Sequence, residues 1–158
     1  MRLAATRFVA GLSFLLGLVI LSATPAAAQD PGVRAGVSID PDQFYFGGHF
    51  ETGPLVDRLH FKPNLEIGFG DDIVLFAANM EFVYKFPLDR GWSIYAGGGP
   101  ALNIYTYDDD GGGDNDAETE PGLNIIIGFE HSRGLMFEFK IGTIDSPDFK
   151  FGVGWTFR

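Results

Sequence analysis

The sequence predicts an all-β fold, an eight-stranded antiparallel up-and-down barrel that crosses a membrane. Apolar and polar residues alternate with a period of two through most of the chain after residue 32, which gives each strand two unlike faces. Segments with this alternation recur eight times, and bacterial membrane barrels have an even number of strands. The last segment, 149–157, alternates large apolar side chains with small or polar ones almost to the carboxyl end.

The amino end has the features of an export signal. Two arginines occur among the first seven residues, an apolar run covers 8–21, and an alanine triplet covers 26–28. The run has about 14 residues, fewer than the roughly 20 that a spanning helix needs, which favours cleavage over a retained anchor. The sequence therefore predicts a cleaved signal peptide at 1–28 and a barrel domain at 29–158.

The composition of the predicted mature chain limits its partners and its means of stabilisation. After residue 28 the chain has 9 Lys and Arg residues against 21 Asp and Glu, a net charge of −12, which argues against a nucleic-acid partner. The chain has no cysteine, so an exported protein must be stable without disulfides. A closed barrel satisfies this requirement because every backbone group is paired between strands.

Turn residues separate the eight alternating segments. The predicted strands are 33–39, 43–52, 59–69, 73–86, 92–107, 121–130, 135–144 and 149–157. Most are long enough to cross the hydrocarbon layer when tilted. Pro63 and Pro100 each lack the N–H that a ladder requires, so we expect a β-bulge at each, with Gly97–Gly99 offering one beside Pro100.

The two faces of the strands differ in bulk as well as in polarity. One face of 73–86 carries Phe, Tyr, Met, Val and Ala, whereas the other carries Asn79, Glu81 and Lys85. A soluble lipocalin-like barrel would point the bulky face inward. An eight-stranded barrel has an interior only just wide enough for side chains, however, and the polar face is rich in glycine. We therefore expect the bulky side chains to face lipid.

The polar face carries charges that nearly balance. With Arg158 included, this face has six cationic residues and five glutamates, although the chain as a whole is acidic. Buried charges are unfavourable unless they are paired, so this balance predicts an ion-paired network inside the barrel. Surface ion pairs on a soluble barrel remain the alternative. The predicted lumen network comprises Arg34, Glu51, Lys62, Glu66, Glu81, Lys85, Glu130, Glu138, Lys140 and Lys150.

With both ends of the mature chain in the periplasm, four connections face outward, at 40–42, 70–72, 108–120 and 145–148. They contain thirteen acidic residues and no basic one. The inner turns are shorter, as in known barrels. Aromatic residues near the strand ends suit interfacial girdles, and those predicted here are Trp92, Tyr84, Phe86, Trp155 and Phe157 on the inner side and Tyr105, Tyr107 and Phe149 on the outer side.

The longest outer connection, 108–120, is crowded with carboxylates and glycines. Its weak metal-ligand candidates are Asp108, Asp110, Asp114 and Asp116. Their spacing does not fit the calcium loop of EF-hands, so the sequence predicts neither a preformed metal site nor a cofactor. Divalent ions bridging this loop to lipopolysaccharide phosphates remain a hypothesis.

No catalytic residue is predicted. His131 and Ser132 beside Glu130 invite comparison with the lipid A deacylases, eight-stranded enzymes with a Ser-His-acid set near the outer leaflet. The His-x-Ser-Asn arrangement of that family is absent, since Ser132 follows His131 directly. The predicted topology also places the pair at a periplasmic turn.

The carboxyl-terminal strand resembles the sorting signal of bacterial outer-membrane proteins, with Lys150, then Gly152, then Trp155 and Phe157; Arg158 departs from a signal that usually ends on the aromatic. With the strand count and short inner turns, residues 29–158 resemble the outer-membrane β-barrel domain family, the small OmpA-like and OmpX-like barrels. The resemblance implies a non-catalytic monomer with a filled lumen, outer-membrane lipid and lipopolysaccharide as surroundings, and recognition of 149–157 by the barrel-assembly machinery. A narrow channel, a lipid-modifying enzyme and a soluble periplasmic barrel are the alternatives.

Overall fold

The computed structural model describes residues 29–107, 117–144 and 146–158, which form ten strands and one 3-10 turn. The strands are β1 (Asp30–Ile39), β2 (Gln43–Glu51), β3 (Leu59–Phe61), β4 (Asn64–Gly70), β5 (Ile73–Asn79), β6 (Phe82–Pro87), β7 (Trp92–Tyr107), β8 (Ala117–His131), β9 (Leu135–Ile144) and β10 (Phe149–Thr156), and the turn is Asp89–Gly91. The predicted signal peptide, 1–28, lies outside the described residues. Among those described, no helix has the length and apolar character to cross a membrane.

The strands close into one antiparallel barrel. β1 pairs with both β2 and β10, and the ladder continues through β9, β8 and β7 back to β5, β4 and β2. β3 and β4 are two parts of one barrel strand, and β5 and β6 are two parts of its neighbour. The β3–β6 ladder continues the β4–β5 ladder along the same pair of strands. The predicted all-β, eight-stranded antiparallel up-and-down barrel is confirmed.

Two prolines on neighbouring strands explain the interruptions. The β3–β6 ladder ends at Phe61–Phe82 and the β4–β5 ladder resumes at Asn64–Asn79 in the same register, which places Met80 opposite Pro63. On its other side, the ladders to β7 place Met80 opposite Pro100. Met80 is therefore flanked by two residues without an N–H group, and regular pairing lapses there.

The predicted bulges at the two prolines are wrong, because the register does not change at either one. Each proline keeps its carbonyl in the ladder: Pro63 accepts from the Phe50 amide at 3.0 Å and Pro100 from the Met80 amide at 2.9 Å. A register shift occurs instead between β8 and β9, at Leu123 and Asn124. In the β7–β8 ladder, Leu123 is the partner of Pro100, so the irregularity lies one strand away from the proline.

The apolar side chains face away from the barrel axis. Phe76 and Phe82 are 42% and 43% exposed, whereas Glu81 between them is 0% exposed. On β8 the same difference is seen, since Ile127 is 47% exposed and Glu130 is 5% exposed. The charged groups therefore occupy the interior and the hydrocarbon groups cover the exterior, as the difference in bulk predicted.

Some large residues point inward against expectation. Tyr105, predicted to lie in an outer aromatic girdle, is only 7% exposed and packs with Leu75 and Ala77 inside the barrel. Val83, Tyr95 and Ile126 form a second interior apolar cluster. The girdle assignment of Tyr105 is therefore wrong, because this residue shares the inward face of β7 with Tyr95 and Asn103.

Candidate functional site: the charged barrel interior

All ten residues of the predicted lumen network lie inside the barrel. Their exposures range from 0% for Lys62 and Glu81 to 8% for Lys85. They come from seven of the eight barrel strands, all except β7, and each occupies an inward position of the alternating pattern. The set contains five cations and five glutamates, so the network is formally neutral.

Glu66 lies at the centre of the network and binds three cations from three other strands. Its carboxylate accepts hydrogen bonds from Lys140 at 2.9 Å and from Lys150 at 2.9 Å. It also accepts a longer one, 3.3 Å, from the Arg34 guanidinium. Because all four side chains are at least nine-tenths buried, none of these charges is compensated by bulk water.

Glu138 and Glu81 complete the central cluster. Arg34 donates to Glu138 at 2.8 Å, and Lys140 lies 2.7 Å from Glu81. The Tyr95 hydroxyl donates a 2.7 Å hydrogen bond to the second oxygen of Glu138. Hydrogen bonds to ionised groups are stronger than those between neutral groups, so this cluster, with Tyr95 included, fixes side chains from six barrel strands relative to one another.

A second cluster, the terminal cluster, closes the end of the barrel at which β1 begins and β10 ends. Lys85 donates to Glu51 and to Glu130. Arg158, beyond the last strand, lies 3.1 Å from Glu130 and 3.4 Å from Glu51. Partial burial lowers the pKa of Arg158, but the two carboxylates outweigh this effect and the pKa is raised, so the guanidinium remains charged.

Lys62 connects the two clusters. Its ammonium group lies 3.9 Å from Glu51 in the terminal cluster and 4.0 Å from Glu138 in the central one. It also lies 4.5 Å from the centre of the Tyr95 ring, a cation–π distance. Charged groups therefore form a connected path from the terminal mouth into the centre of the barrel.

Three asparagines extend the network without adding charge. Asn124 donates to Asn79 at 2.8 Å, Asn79 donates to Asn64 at 2.8 Å, and Asn64 donates to Glu81 at 2.7 Å. The sequence pattern placed these residues on the polar face but did not include them in the network. These amides come from β8, β5 and β4, and β7 lies between β8 and β5, so the chain that they form cannot be recognised before the registers of the strands are known.

Two interior tyrosines were missed by the sequence analysis. A Cβ atom on Gly128 would lie 2.2 Å from the Tyr95 ring, and one on Gly152 would lie 2.4 Å from the Tyr45 hydroxyl. The interior glycines therefore leave the space that the tyrosine rings fill. The two-residue period could have identified Tyr95 as an interior residue. Tyr95 lies two residues before Gly97, which the pattern assigned to the interior, and residues two apart on a strand share a face.

Two members of the Ser132-His131-Glu130 set have partners outside it. The Oε1 atom of Glu130 accepts hydrogen bonds from Lys85 and Arg158, and the Nδ1 atom of His131 accepts a 3.1 Å hydrogen bond from the Arg133 amide.

Within 29–107, 117–144 and 146–158, no group of three or more His, Cys, Asp or Glu side chains is arranged to hold a metal ion. The weak metal candidates, Asp108, Asp110, Asp114 and Asp116, lie outside the described residues.

Three solved structures share this architecture. The amino-terminal β-barrel domain of OprF from Pseudomonas aeruginosa matches with a TM-score of 0.63 and 14% identity, covering 82% of this chain and 96% of that chain. Neisserial surface protein A matches with a TM-score of 0.59 and 17% identity, covering 82% and 95%. Ail of Yersinia pestis, in complex with the heparin analogue sucrose octasulfate, matches with a TM-score of 0.51 and 10% identity, covering 82% and 95%.

No family model matches the sequence, and no curated protein matches it. At the identities of the three structural matches, the likeness concerns the fold. The chain therefore has the fold of the small eight-stranded outer-membrane barrels, which confirms the resemblance stated from the sequence.

Proposed function

We propose that this chain is an integral β-barrel protein of the bacterial outer membrane, with a structural or surface-interaction role and a filled, non-conducting lumen. The observation that carries the proposal is the inverted polarity of a closed barrel. Phenylalanine, isoleucine and valine side chains cover the exterior, while five cations and five glutamates are paired inside. This distribution suits lipid outside and a polar interior.

The alternative of a soluble periplasmic barrel is disfavoured by the same distribution. Soluble monomers rarely expose contiguous apolar patches larger than a few hundred Å². Here the exposed apolar residues extend around the barrel, with Phe46 at 50%, Ile125 at 53% and Val153 at 39% exposure on three different strands. A soluble lipocalin-like barrel would bury such residues around its ligand.

Membrane fractionation tests the proposal. We expect the protein in the outer-membrane fraction, with an electrophoretic mobility that changes when the sample is heated before electrophoresis, because a closed barrel resists detergent until it is heated. A freely soluble periplasmic species would overturn the proposal. The same preparation gives the mass of the mature chain, which tests cleavage after residue 28.

The outer connections indicate which partners to expect at the cell surface. The four connections at 40–42, 70–72, 108–120 and 145–148 contain no Lys or Arg. We therefore do not expect a polyanionic ligand such as the heparin analogue bound to Ail. The expected surroundings are outer-membrane lipid and lipopolysaccharide, and the strand 149–157 is the expected point of recognition by the barrel-assembly machinery.

A narrow channel is the second candidate, and the connected charges favour it. Arg158, Lys85 and Lys62 lead from the terminal mouth to the central cluster. We nevertheless expect little or no conductance, since the interior of an eight-stranded barrel is filled by side chains. Single-channel recording in planar bilayers decides between the two, because discrete, reproducible current steps would contradict a closed lumen.

We do not propose an enzyme. The one set of residues that invited comparison with lipid A deacylases has its acid in ion pairs with Lys85 and Arg158. In the proposed orientation it also lies at the periplasmic end, whereas lipid A occupies the outer leaflet. Unchanged lipid A mass spectra on overexpression are the expected result.

A further inference from the structure

We propose that the outer rim of the barrel binds an outer-leaflet amphiphile that carries an ammonium headgroup, in a cavity between β1, β2 and β4. The inference rests on the proposed membrane orientation, in which this rim faces the cell exterior. The cavity has a volume of about 470 Å³, within the range of roughly 300 to 1,000 Å³ that is usual for small-molecule sites. Its lining residues are Val37, Ser38, Asp42, Gln43, Phe44, Phe69, Gly70 and Asp71.

The lower wall of the cavity suits a hydrocarbon tail. Val37, Phe44 and Phe69 are on the lipid-facing side and are 50%, 57% and 45% exposed. Val37 pairs with Phe44, and Phe44 pairs with Phe69, so the three side chains lie side by side across three strands. Phe46 stacks on Phe69 at 5.8 Å and continues the apolar wall toward the membrane interior.

The upper edge of the cavity is acidic. Asp42 precedes β2 and Asp71 follows β4, and both side chains are exposed. Among the described residues, none that lines this cavity is cationic. A phosphate headgroup would be repelled by the two carboxylates, whereas an ammonium group would be attracted to them at the edge of a low-dielectric phase. The juxtaposition of a hydrocarbon wall and two carboxylates therefore selects an amphiphile with a positive head.

The position of the cavity supports a membrane amphiphile over a free cation. The apolar wall faces lipid and the carboxylates lie at the end of the strands, so tail and head would occupy the levels that they occupy in a bilayer leaflet. A small cation without a tail would gain only the attraction of two exposed carboxylates, which is weak in water.

The test uses the folded, isotopically labelled protein in dodecyl maltoside micelles and follows amide chemical shifts by nuclear magnetic resonance. Dodecylammonium is titrated as the probe. Dodecyl sulfate, which has the tail but not the positive head, and ethylammonium, which has the positive head but not the tail, are the comparisons. We expect saturable shifts at Phe44, Phe69 and Asp71 with dodecylammonium, and only small, non-saturating shifts with the other two.

Variants identify the charges responsible. Asp42→Asn with Asp71→Asn should weaken the apparent affinity for dodecylammonium by about tenfold, the effect of losing two exposed ion pairs. Asp72→Asn is the matched control, because it removes the same charge from the same turn without lining the cavity, and asparagine tolerates its φ of 58°. This control should bind like the original protein.

Three results would overturn the inference: saturation by dodecyl sulfate, equal binding by the double variant, or no saturable shift. A well-dispersed spectrum and a heat-modifiable band in the same sample show that the barrel is folded. A failure of amphiphile binding is thereby distinguished from a failure of the proposed outer-membrane function, which fractionation decides separately.

Discussion

Replacing Glu66 by glutamine should destabilise the barrel by about 3–5 kcal/mol, the usual cost of removing one partner of a buried ion pair. The Glu66 carboxylate forms ion pairs with Arg34, Lys140 and Lys150. A neutral amide at this position removes the negative charge that these three buried cations share. Unfolding of the protein in urea, in lipid vesicles, measures this loss through the fluorescence of its two tryptophans.

Two further variants make the Glu66 prediction specific. The double variant Glu66→Gln with Lys150→Gln should regain about 1 kcal/mol or more, because it removes one of the uncompensated cations. Glu118→Gln makes the same chemical change at an exposed position on β8 and should change the stability by less than about 0.5 kcal/mol. If Glu66→Gln were as stable as Glu118→Gln, water in the lumen would be screening the charges and the network would not hold the barrel together.

Arginine at Ile127 should destabilise the membrane-inserted barrel by about 2–4 kcal/mol, because a charge at the bilayer midplane is poorly solvated. Ile127 is 47% exposed and lies midway along the β8–β9 ladder, which runs from Leu123 to Glu130. The free energy of unfolding in lipid vesicles measures the effect.

Ile144→Arg provides the matched control for Ile127. It is the same substitution at a lipid-facing isoleucine, 55% exposed, at the end of β9 that carries the outer connections. There the cost should fall to about 0–1 kcal/mol, because the side chain reaches the interface. A soluble barrel would tolerate both arginines equally, so equal stability of the two variants would contradict the membrane assignment.

The alternation of the strands was predictable because it is a local property. Successive side chains of a strand point to opposite faces whatever the strand pairs with, so the eight segments and the ten interior charges could be assigned from spacing alone. The assignment failed where this rule was not applied. Tyr105 was expected at the interface, yet it is separated by an even number of residues from Gly97 and Gly99, which had been placed inside.

The partners within the network could not be predicted, because they depend on closure. Glu66 contacts Arg34, Lys140 and Lys150, which are separated from it by 32, 74 and 84 residues. Which cations meet this carboxylate is decided by the stagger of each strand against the next around the barrel. A shift of one residue in a single ladder would move a whole strand's charges to the lipid face.

By itself, the amino-acid sequence determined the fold class, the number of barrel strands and which face of each strand is polar, because a two-residue period expresses these properties locally. Only the tertiary structure decided how the ladders pass the two prolines at Met80, how the tyrosines fit the spaces left by Gly128 and Gly152, and how Lys62 joins the two charged clusters. These features depend on the register of strands distant in the chain, which is set when the barrel closes and the interior must be filled and neutralised together.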